Sequence, residues 1–358
     1  MKSVLTLIII FTIVFSTPLV NAQTVTNNDQ ALRAQIEMLL QLIAKLQAQL
    51  AAQKSADIAV STTTSEEWSF DRTKEDEFYA SLSSDGEEYS DDDPANLFVV
   101  QGGNLLKDFV TPPSTSNSIE NQVWSLFKEI AGADFIDQYV LEFATYDSKD
   151  NPIVAFVHYF HSDDPQWWMY REAEHVDKLN YSEHTPGWGL GVNVAGAGFT
   201  DKKWADYTIA NLIHEYGHLL TLSGTQIYHD IRIAPICDHQ KHTYFVPGDS
   251  GGCSMKNSYL NTFVQMFWSK SDLEEATYAL KNGTTEKFYN KHKDDFVSEY
   301  AASSPAEDMA ETFTDFVLQK KPTDELSVHN KKILFYYNYP ELITIRAHIR
   351  SVIEKYYQ

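Results

Sequence analysis

Two histidines and a glutamate within IANLIHEYGHLLTL, residues 209–222, have the spacing of a metal-binding helix. His214 and His218 stand four positions apart, and residues i and i+4 project from one face of an α-helix. Imidazole nitrogens are good Zn²⁺ ligands, so this face can bind one zinc ion. Glu215 lies beside the first histidine, where its carboxylate can accept a proton from metal-activated water. This H-E-x-x-H pattern is a metallopeptidase signature, although a helix with polar surface residues can also carry it by chance.

A catalytic zinc site also needs a third protein ligand and an open coordination position. The metzincin continuation H-x-x-G-x-x-H is excluded, because Thr221 stands at its glycine and Gly224 at its histidine. Three later histidines are alternative ligands in a loop whose path the sequence does not predict: His229, His239 and His242.

The segment 296–318 offers carboxylates at a suitable spacing. Ser304 can cap a helix and Pro305 suits its first turn, which places Glu307 and Glu311 on one face. Two such carboxylates repel each other unless a cation lies beside them. Zinc with its histidines supplies that cation: one carboxylate can bind the metal while the other holds a ligand histidine through its second ring nitrogen. The alternative is a capping box, in which Glu307 reaches back to Ser304.

Together these motifs resemble the gluzincin metallopeptidases, in particular the type seen in the anthrax lethal factor catalytic domain and the bacterial Pro-Pro endopeptidases. H-E-Y-G-H is followed here by Y-x6-E-x3-E, which begins at Tyr300. The resemblance implies that Glu307 is the third zinc ligand and Glu311 the neighbour that supports a ligand histidine. It also implies that the Tyr300 hydroxyl stabilises the oxyanion. It covers roughly residues 190–350.

Two further segments, 258–268 and 331–350, resemble those of uncharacterised secreted bacterial proteins of a zinc-metallopeptidase type. One departure from the family is the longer gap between His218 and the Y-x6-E-x3-E motif, which contains both cysteines. If the motifs are wrongly paired, Glu274 or Glu275 becomes the alternative third ligand.

The stretch GDSGG at residues 248–252 copies the nucleophile loop of trypsin-like serine proteases. Those proteins are all-β and carry a histidine and an aspartate upstream in their own local signatures. Such signatures do not occur here, so Ser250 is interpreted as part of a glycine-rich turn.

Composition and charge limit the class of protein. The 358 residues are 43% hydrophobic and 13% aromatic, as in a globular protein with a substantial core. A formal net charge of −22 argues against a nucleic-acid or anionic-membrane partner.

The amino terminus predicts export. Residues 1–22 read as a secretory signal peptide with cleavage after Ala22, a retained membrane anchor being the alternative. No later stretch is long and apolar enough to cross a bilayer.

In an exported chain, the only two cysteines, Cys237 and Cys253, are expected to form a disulfide rather than two free thiols.

Residues 23–53 contain an apolar seam at alternating spacings of four and three, which predicts a short coiled coil over 30–53. The seam consists of Leu32, Ile36, Leu39, Ile43, Leu46 and Leu50. It suggests a homo-oligomer, or alternatively a lone amphipathic helix. Residues 54–96 are acidic and rich in Ser and Thr, as in a solvated linker, and a metallopeptidase domain is predicted over 97–358.

Within that domain, strand patterns precede helix patterns, which predicts an α+β fold rather than a parallel sheet, with a mostly helical carboxyl-terminal part. The gluzincin resemblance implies that this fold is of the zincin-like type, with a small mixed sheet. Residues 138–160 read as a hairpin and 188–196 as a strand at the edge of the sheet. A helix capped by Thr200 or Asp201 then runs through the H-E-x-x-H motif. Further helices are predicted over 256–280, 284–300, 305–320 and 328–356, the last broken at Pro340.

The expected function is that of a secreted or cell-envelope zinc endopeptidase with one zinc ion per chain. A protein or peptide substrate would extend along the strand near 189–196. Trp167, Trp168 and Trp188 are candidates to line its subsites, with packing in the core as the alternative for each. The alternative is an envelope protein with a structural zinc or no zinc, or with zinc but no peptidase activity, which binds a partner through the coiled coil.

Overall fold

The structure, a computed structural model, describes residues 94–106, 119–147, 154–160, 187–194, 202–229, 237, 242–246 and 252–356. Every described residue belongs to the unit Ser61–Gln358. The predicted signal peptide and coiled coil, and the linker up to residue 93, lie outside the described residues. So do Trp167, Trp168, His239 and Ser250.

A mixed sheet forms the amino-terminal part of the described fold, in the order β2-β1-β3-β5-β4. Its strands are β1 (Asn96–Gln101), β2 (Asn104–Leu106), β3 (Val140–Tyr146), β4 (Ala155–Phe160) and β5 (Gly187–Asn193). A two-residue turn of Gly102 and Gly103 joins β1 to β2. Both residues have positive φ, 60° and 69°, and glycine suits this turn because it adopts positive φ without steric cost. β3 and β5 run parallel, and the other neighbouring strands are antiparallel.

Two predictions about this sheet are wrong. β3 and β4 do not form a hairpin, because β5 lies between them and pairs with both. For the same reason β5 is not an edge strand; among the described strands, β4 ends the sheet on that side. The glycines of β5 make room for its neighbours: a Cβ on Gly191 would lie 2.3 Å from the Phe156 ring. The glycines of β5 are therefore explained by close packing in the interior of the sheet.

The described helices, together with this sheet, confirm an α+β fold. They are α1 (Ile119–Ala131), α2 (Ala133–Tyr139), α3 (Lys202–Leu222), α4 (Tyr259–Phe267), α5 (Lys270–Lys281), α6 (Thr285–Lys291), α7 (Pro305–Leu318), α8 (Val328–Tyr336) and α9 (Pro340–Tyr356). α1 packs on the sheet, where the Trp124 ring lies 5.1 Å from that of Phe143.

Several helix boundaries differ from the predicted ones. The helix expected over 256–280 is divided, because Ser269 forms a capping box with Asp272 and begins a second helix. The helix expected over 284–300 ends at Lys291 and is followed by two 3₁₀ turns, Lys293–Asp295 and Tyr300–Ser303. The break at Pro340 is confirmed.

The closest crossing of helices joins α3 to α7 and brings their polar residues together. A Cβ on Gly217 of α3 would lie 3.3 Å from the Cα of Ala310 and 3.2 Å from the Phe313 ring, both on α7. Apolar side chains around the crossing are fully buried, including Ile213, Leu219 and Met309. Since a larger residue at 217 would push the helices apart, this glycine sets how closely they approach.

A small antiparallel sheet of order β6-β8-β7 follows α3. Its strands are β6 (Ile227–Tyr228), β7 (His242–Val246) and β8 (Gly252–Met255). Cys253 of β8 is bonded to Cys237, which confirms the predicted disulfide. In the part of the chain that the structure describes, no helix combines the length and the apolar character needed to span a membrane.

Candidate metal centre

Three side-chain donor atoms from α3 and α7 converge at the helix crossing. His214 Nε2 and His218 Nε2 are 3.0 Å apart, and Glu307 Oε2 lies 3.2 Å from the first and 3.1 Å from the second. Among the described residues, this is the group of histidine, cysteine and acidic side chains whose ligand atoms lie close enough together to hold a metal ion. Ligands about 2.0–2.1 Å from a tetrahedral metal are about 3.3 Å from each other, so the spacing fits such an ion.

The hydrogen bonds of His214 leave the correct nitrogen available for a metal. Its Nδ1 lies 2.7 Å from Glu311 Oε1, and the carboxylate can only accept, so Nδ1 carries the proton in the neutral ring. Nε2 then presents its lone pair towards His218 and Glu307. Two nitrogen lone pairs and a carboxylate oxygen in mutual contact repel one another unless a proton or a metal lies among them.

The charges in the site favour a cation. Burial alone would lower the pKa of His214, but its hydrogen bonds to Glu307 and Glu311 raise it well above the ordinary value of 6.5. Burial would likewise raise the pKa of Glu307, but the charge of His218 and the hydrogen bonds of both histidines hold it far below its usual range. Both shifts favour positive charge among these three groups, whether it is a proton or a metal ion.

The two candidate ligand histidines are supported differently. His214 is held by Glu311, whereas no described residue accepts a hydrogen bond from the buried Nδ1 of His218. A hydrogen-bonded carboxylate therefore orients the His214 ring, whereas the buried His218 ring has no such support at its Nδ1 among the described residues.

The amino terminus of α7 combines a helix cap with the carboxylate that faces the two histidines. The Ser304 side chain accepts a hydrogen bond from the Glu307 backbone N–H at 3.2 Å, and Pro305 occupies the first turn. The Glu307 side chain faces the histidines. The serine half of the predicted capping box is thus present, while the Glu307 carboxylate contacts the histidines instead of reaching back to Ser304.

Glu215 lies at the junction of α3 and the sheet. It is 5% exposed, and its carboxylate accepts a hydrogen bond from the backbone N–H of Val157 on β4. Burial raises its pKa, although the charges of His214 and His218 act in the opposite direction. A carboxylate with a raised pKa is suited to accepting a proton and returning it.

Tyr300 lies over the open side of the cluster, with its ring 5.8 Å from that of His214. The residue as a whole is 57% exposed, but its hydroxyl reaches into the site and hydrogen-bonds Glu307. Desolvation at that end and the charge of Glu307 raise the pKa of the hydroxyl well above 10, so it remains a proton donor.

The structure places three of the other candidate ligands away from this cluster: His229, Glu274 and Glu275. His229 Nε2 lies 2.7 Å from the Leu222 carbonyl, and its ring stacks on Tyr159 at 3.8 Å. Glu275 forms an ion pair with Lys291 on the surface.

Glu274 and Trp188 are excluded by their positions. Glu274 has 70% of its side chain exposed and lies near Lys270. Trp188 is 1% exposed in the core and cannot line a surface subsite. His242 begins β7, and its side chain is outside the described part.

Three residues that support the site were not predicted. Ser298 donates to Glu311, and Asp308 forms a buried ion pair with Lys332 behind α7. Their partners are 13 and 24 residues away in the sequence, beyond the reach of any helical or strand periodicity. Asp308 had one local signal, a second acidic residue in the first turn of a predicted helix, but that position usually faces solvent.

No protein-family model matches the chain, and comparisons with curated proteins and with solved structures find no match either. The gluzincin resemblance therefore rests on the sequence motifs alone.

Proposed function

We propose that this chain is a zinc-dependent endopeptidase with a zincin-like fold. The observation that carries the proposal is the convergence of His214, His218 and Glu307, with donor atoms 3.0 to 3.2 Å apart, beside the buried carboxylate of Glu215. Two neutral imidazoles and one carboxylate form a common ligand set of catalytic zinc.

The roles of the surrounding residues follow from their contacts. When bound, a zinc ion polarises a carbonyl group and lowers the pKa of water. Glu215 takes the proton of the attacking water and passes it to the leaving amine. Tyr300, whose hydroxyl is already at the site, donates to the oxyanion that develops on the carbonyl oxygen.

The substrate would extend along β4. This strand ends the described sheet on its side, and the Glu215 carboxylate is hydrogen-bonded to its Val157. An extended peptide that adds to a sheet edge is held by backbone hydrogen bonds, which suits a protein or peptide substrate. The expected position therefore moves from β5 to β4.

A location outside the cytoplasm is part of the proposal. The Cys237–Cys253 disulfide is compatible with an extracellular protein, because such bonds persist in oxidising compartments. A loop of this length contributes roughly 3 kcal/mol in the chain-entropy model.

The test compares wild type with Glu215→Gln and with Glu142→Gln, in zinc content and in cleavage of casein or a peptide library. Glu142 on β3 is the matched control, because it is also a glutamate that is 5% exposed. We expect about one zinc per chain in all three. Glu215→Gln should lose about 10²- to 10⁴-fold in rate, as expected for removal of a general base, while Glu142→Gln retains activity.

Full activity in Glu215→Gln would contradict the mechanism, and wild type without zinc would contradict the site. Stoichiometric zinc in a wild-type protein that cleaves no peptide would instead support a zinc-binding protein of another function.

A further inference from the structure

A hydrogen-bonded chain continues from the candidate ligand His214 to a residue without a predicted role. Glu311 Oε1 lies 2.7 Å from His214 Nδ1, and its other oxygen, Oε2, accepts a hydrogen bond from Ser298 Oγ at 2.7 Å. Ser298 is 9% exposed, so water competes weakly for its hydroxyl. Both oxygens of the carboxylate are therefore bonded within the protein.

The same serine oxygen also organises the turn that carries Tyr300. Ser298 Oγ accepts a hydrogen bond from the Ala301 backbone N–H at 3.0 Å. Tyr300 begins the 3₁₀ turn Tyr300–Ser303 that leads into α7. One hydroxyl thus donates to the support of a ligand histidine and accepts from the backbone next to the oxyanion donor.

We propose that Ser298 is a positioning residue that couples the orientation of His214 to the placement of Tyr300. This inference rests on the proposed function, since it assigns the residue to the same site. The physical reason is that a carboxylate held at one oxygen can rotate about its terminal torsion. Bonding Oε2 to Ser298 keeps Oε1 directed at the Nδ1–H of His214, and so keeps Nε2 directed at the metal position.

A purely local role would be that of a backbone cap, and the chain offers a matched example. Ser258 is also buried, and its Oγ accepts a hydrogen bond from the Asn261 N–H at 3.1 Å at the start of α4. Among the described residues, Ser258 donates to no carboxylate. Ser258→Ala therefore reproduces the loss of a buried cap without any effect on Glu311.

The experiment measures zinc affinity by competition with a chelator, and thermal unfolding of the metal-free protein, in full-length variants. Ser298→Ala should bind zinc about 3- to 10-fold more weakly, somewhat less than the 10- to 100-fold loss typical for direct partners of ligands. Ser298→Thr, which keeps the hydroxyl, should restore the affinity. Ser258→Ala should lower the unfolding temperature by a similar amount to Ser298→Ala but bind zinc like wild type.

A second pair of variants tests whether Ser298 acts through Glu311. In a Glu311→Ala background, Ser298→Ala should change zinc affinity no further, because the partner of its hydroxyl is gone. If the alanine variant at 298 does not fold, Ser298→Cys keeps a similar volume with a weak donor and should show the same loss of affinity.

Wild-type affinity in Ser298→Ala overturns the inference, and so does an equal loss with and without Glu311. These outcomes leave zinc binding by wild type intact and do not affect the proposed function. If wild type itself binds no zinc, the proposed function fails, and this inference fails with it. At saturating zinc, a fall in kcat larger than the change in KM for Ser298→Ala would support the link to Tyr300.

Discussion

Glu307 and Asp308 are adjacent acidic residues at the start of α7, yet they belong to two different clusters. Glu307 faces the two histidines of α3. Asp308, about 100° further round the helix, lies 2.7 Å from Lys332 Nζ and accepts a hydrogen bond from Trp268 Nε1 at 2.8 Å. The first cluster opens to solvent on the side of Glu307, whose side chain is 22% exposed, whereas Asp308 and Lys332 are at most 1% exposed.

The difference shows how a buried carboxylate is accommodated. Asp308 forms an ion pair with Lys332, whose Nζ also lies 3.9 Å from the Phe296 ring centre. Glu307 contacts two histidines and the Tyr300 hydroxyl, and a proton or a metal ion held among these groups would supply the positive charge. The buried Asp308–Lys332 pair can therefore have a purely structural role. The Glu307 cluster is partly exposed to solvent, so it can exchange its cation. Because the two residues are adjacent on α7, the orientation of the helix that pairs Asp308 with Lys332 also directs Glu307 towards the histidines.

The carboxyl-terminal helices hold α7 along its length and so fix that rotation. Tyr336 of α8 donates its hydroxyl hydrogen bond to the Met309 carbonyl at 2.6 Å. Arg346 and Arg350 of α9 donate to carbonyls at the end of α7, including that of Phe316 at 2.6 Å. Cations at the carboxyl end of a helix also interact favourably with its dipole.

The largest effect on folding is expected for Asp308→Asn. It leaves Lys332 buried without its anion, which costs about 3–5 kcal/mol in the free energy of unfolding. Urea unfolding of the metal-free protein measures this. Combining Asp308→Asn with Lys332→Met should recover much of the loss, because no charge then remains buried. A cost below about 1 kcal/mol for the single variant would show that the pair is not a structural ion pair.

In contrast to Asp308→Asn, Glu307→Gln should affect zinc affinity strongly and the free energy of unfolding weakly. We expect zinc affinity to fall by more than the roughly 100-fold typical of a residue one step removed from the metal, because the substitution removes a proposed ligand itself. The unfolding free energy of the metal-free protein should change less than in Asp308→Asn. Chelator competition and urea unfolding give the two values. Comparable zinc affinity in Glu307→Gln and wild type would remove Glu307 from the ligand set.

Gly217→Ala should affect both clusters moderately. The added Cβ meets the Ala310 backbone and the Phe313 ring, so α7 must move away from α3, at a cost of about 1–3 kcal/mol in stability. Zinc affinity should fall as well, since the ligands on the two helices separate. Gly224→Ala is the control, because its Cβ would meet no atom within 4 Å. Equal effects of the two substitutions would contradict this role of the crossing.

Glu142 extends the comparison to a buried carboxylate whose nearest basic neighbour is a histidine, with His158 Nε2 3.6 Å away on β4. Burial raises the pKa of Glu142 from 4.5 to about 8. The folded protein therefore keeps a proton that the unfolded chain loses, so stability is highest at low pH and declines as pH rises. The contribution is about 1.4 kcal/mol per pH unit between about pH 5 and pH 8.

Urea unfolding of wild type and Glu142→Gln at pH 5.5 and 7.5 tests that dependence. The difference between the two proteins isolates Glu142 from the histidines of the site, which titrate in both. An unchanged slope in Glu142→Gln would contradict the assignment.

The sequence by itself determined the features that depend on local geometry. His214 and His218 share a helix face because the helical repeat is constant, and the same repeat places Glu307 and Glu311 together. The Ser304 cap and the break at Pro340 follow from the backbone chemistry of single residues. The α+β fold and the disulfide were also predictable, from element patterns and from a lone cysteine pair in a chain whose amino terminus predicts export.

Only the tertiary structure decided which distant elements meet. The strand patterns of β3, β4 and β5 were readable, but their order was not, because pairing depends on the closure of long connections. The partners of Ser298 and Asp308 likewise come from segments with no periodic relation to them. The type of a charged or hydroxyl side chain, which the sequence gives, limits the kinds of group that it can bind. Which group it does bind depends on the position of every helix packed around it.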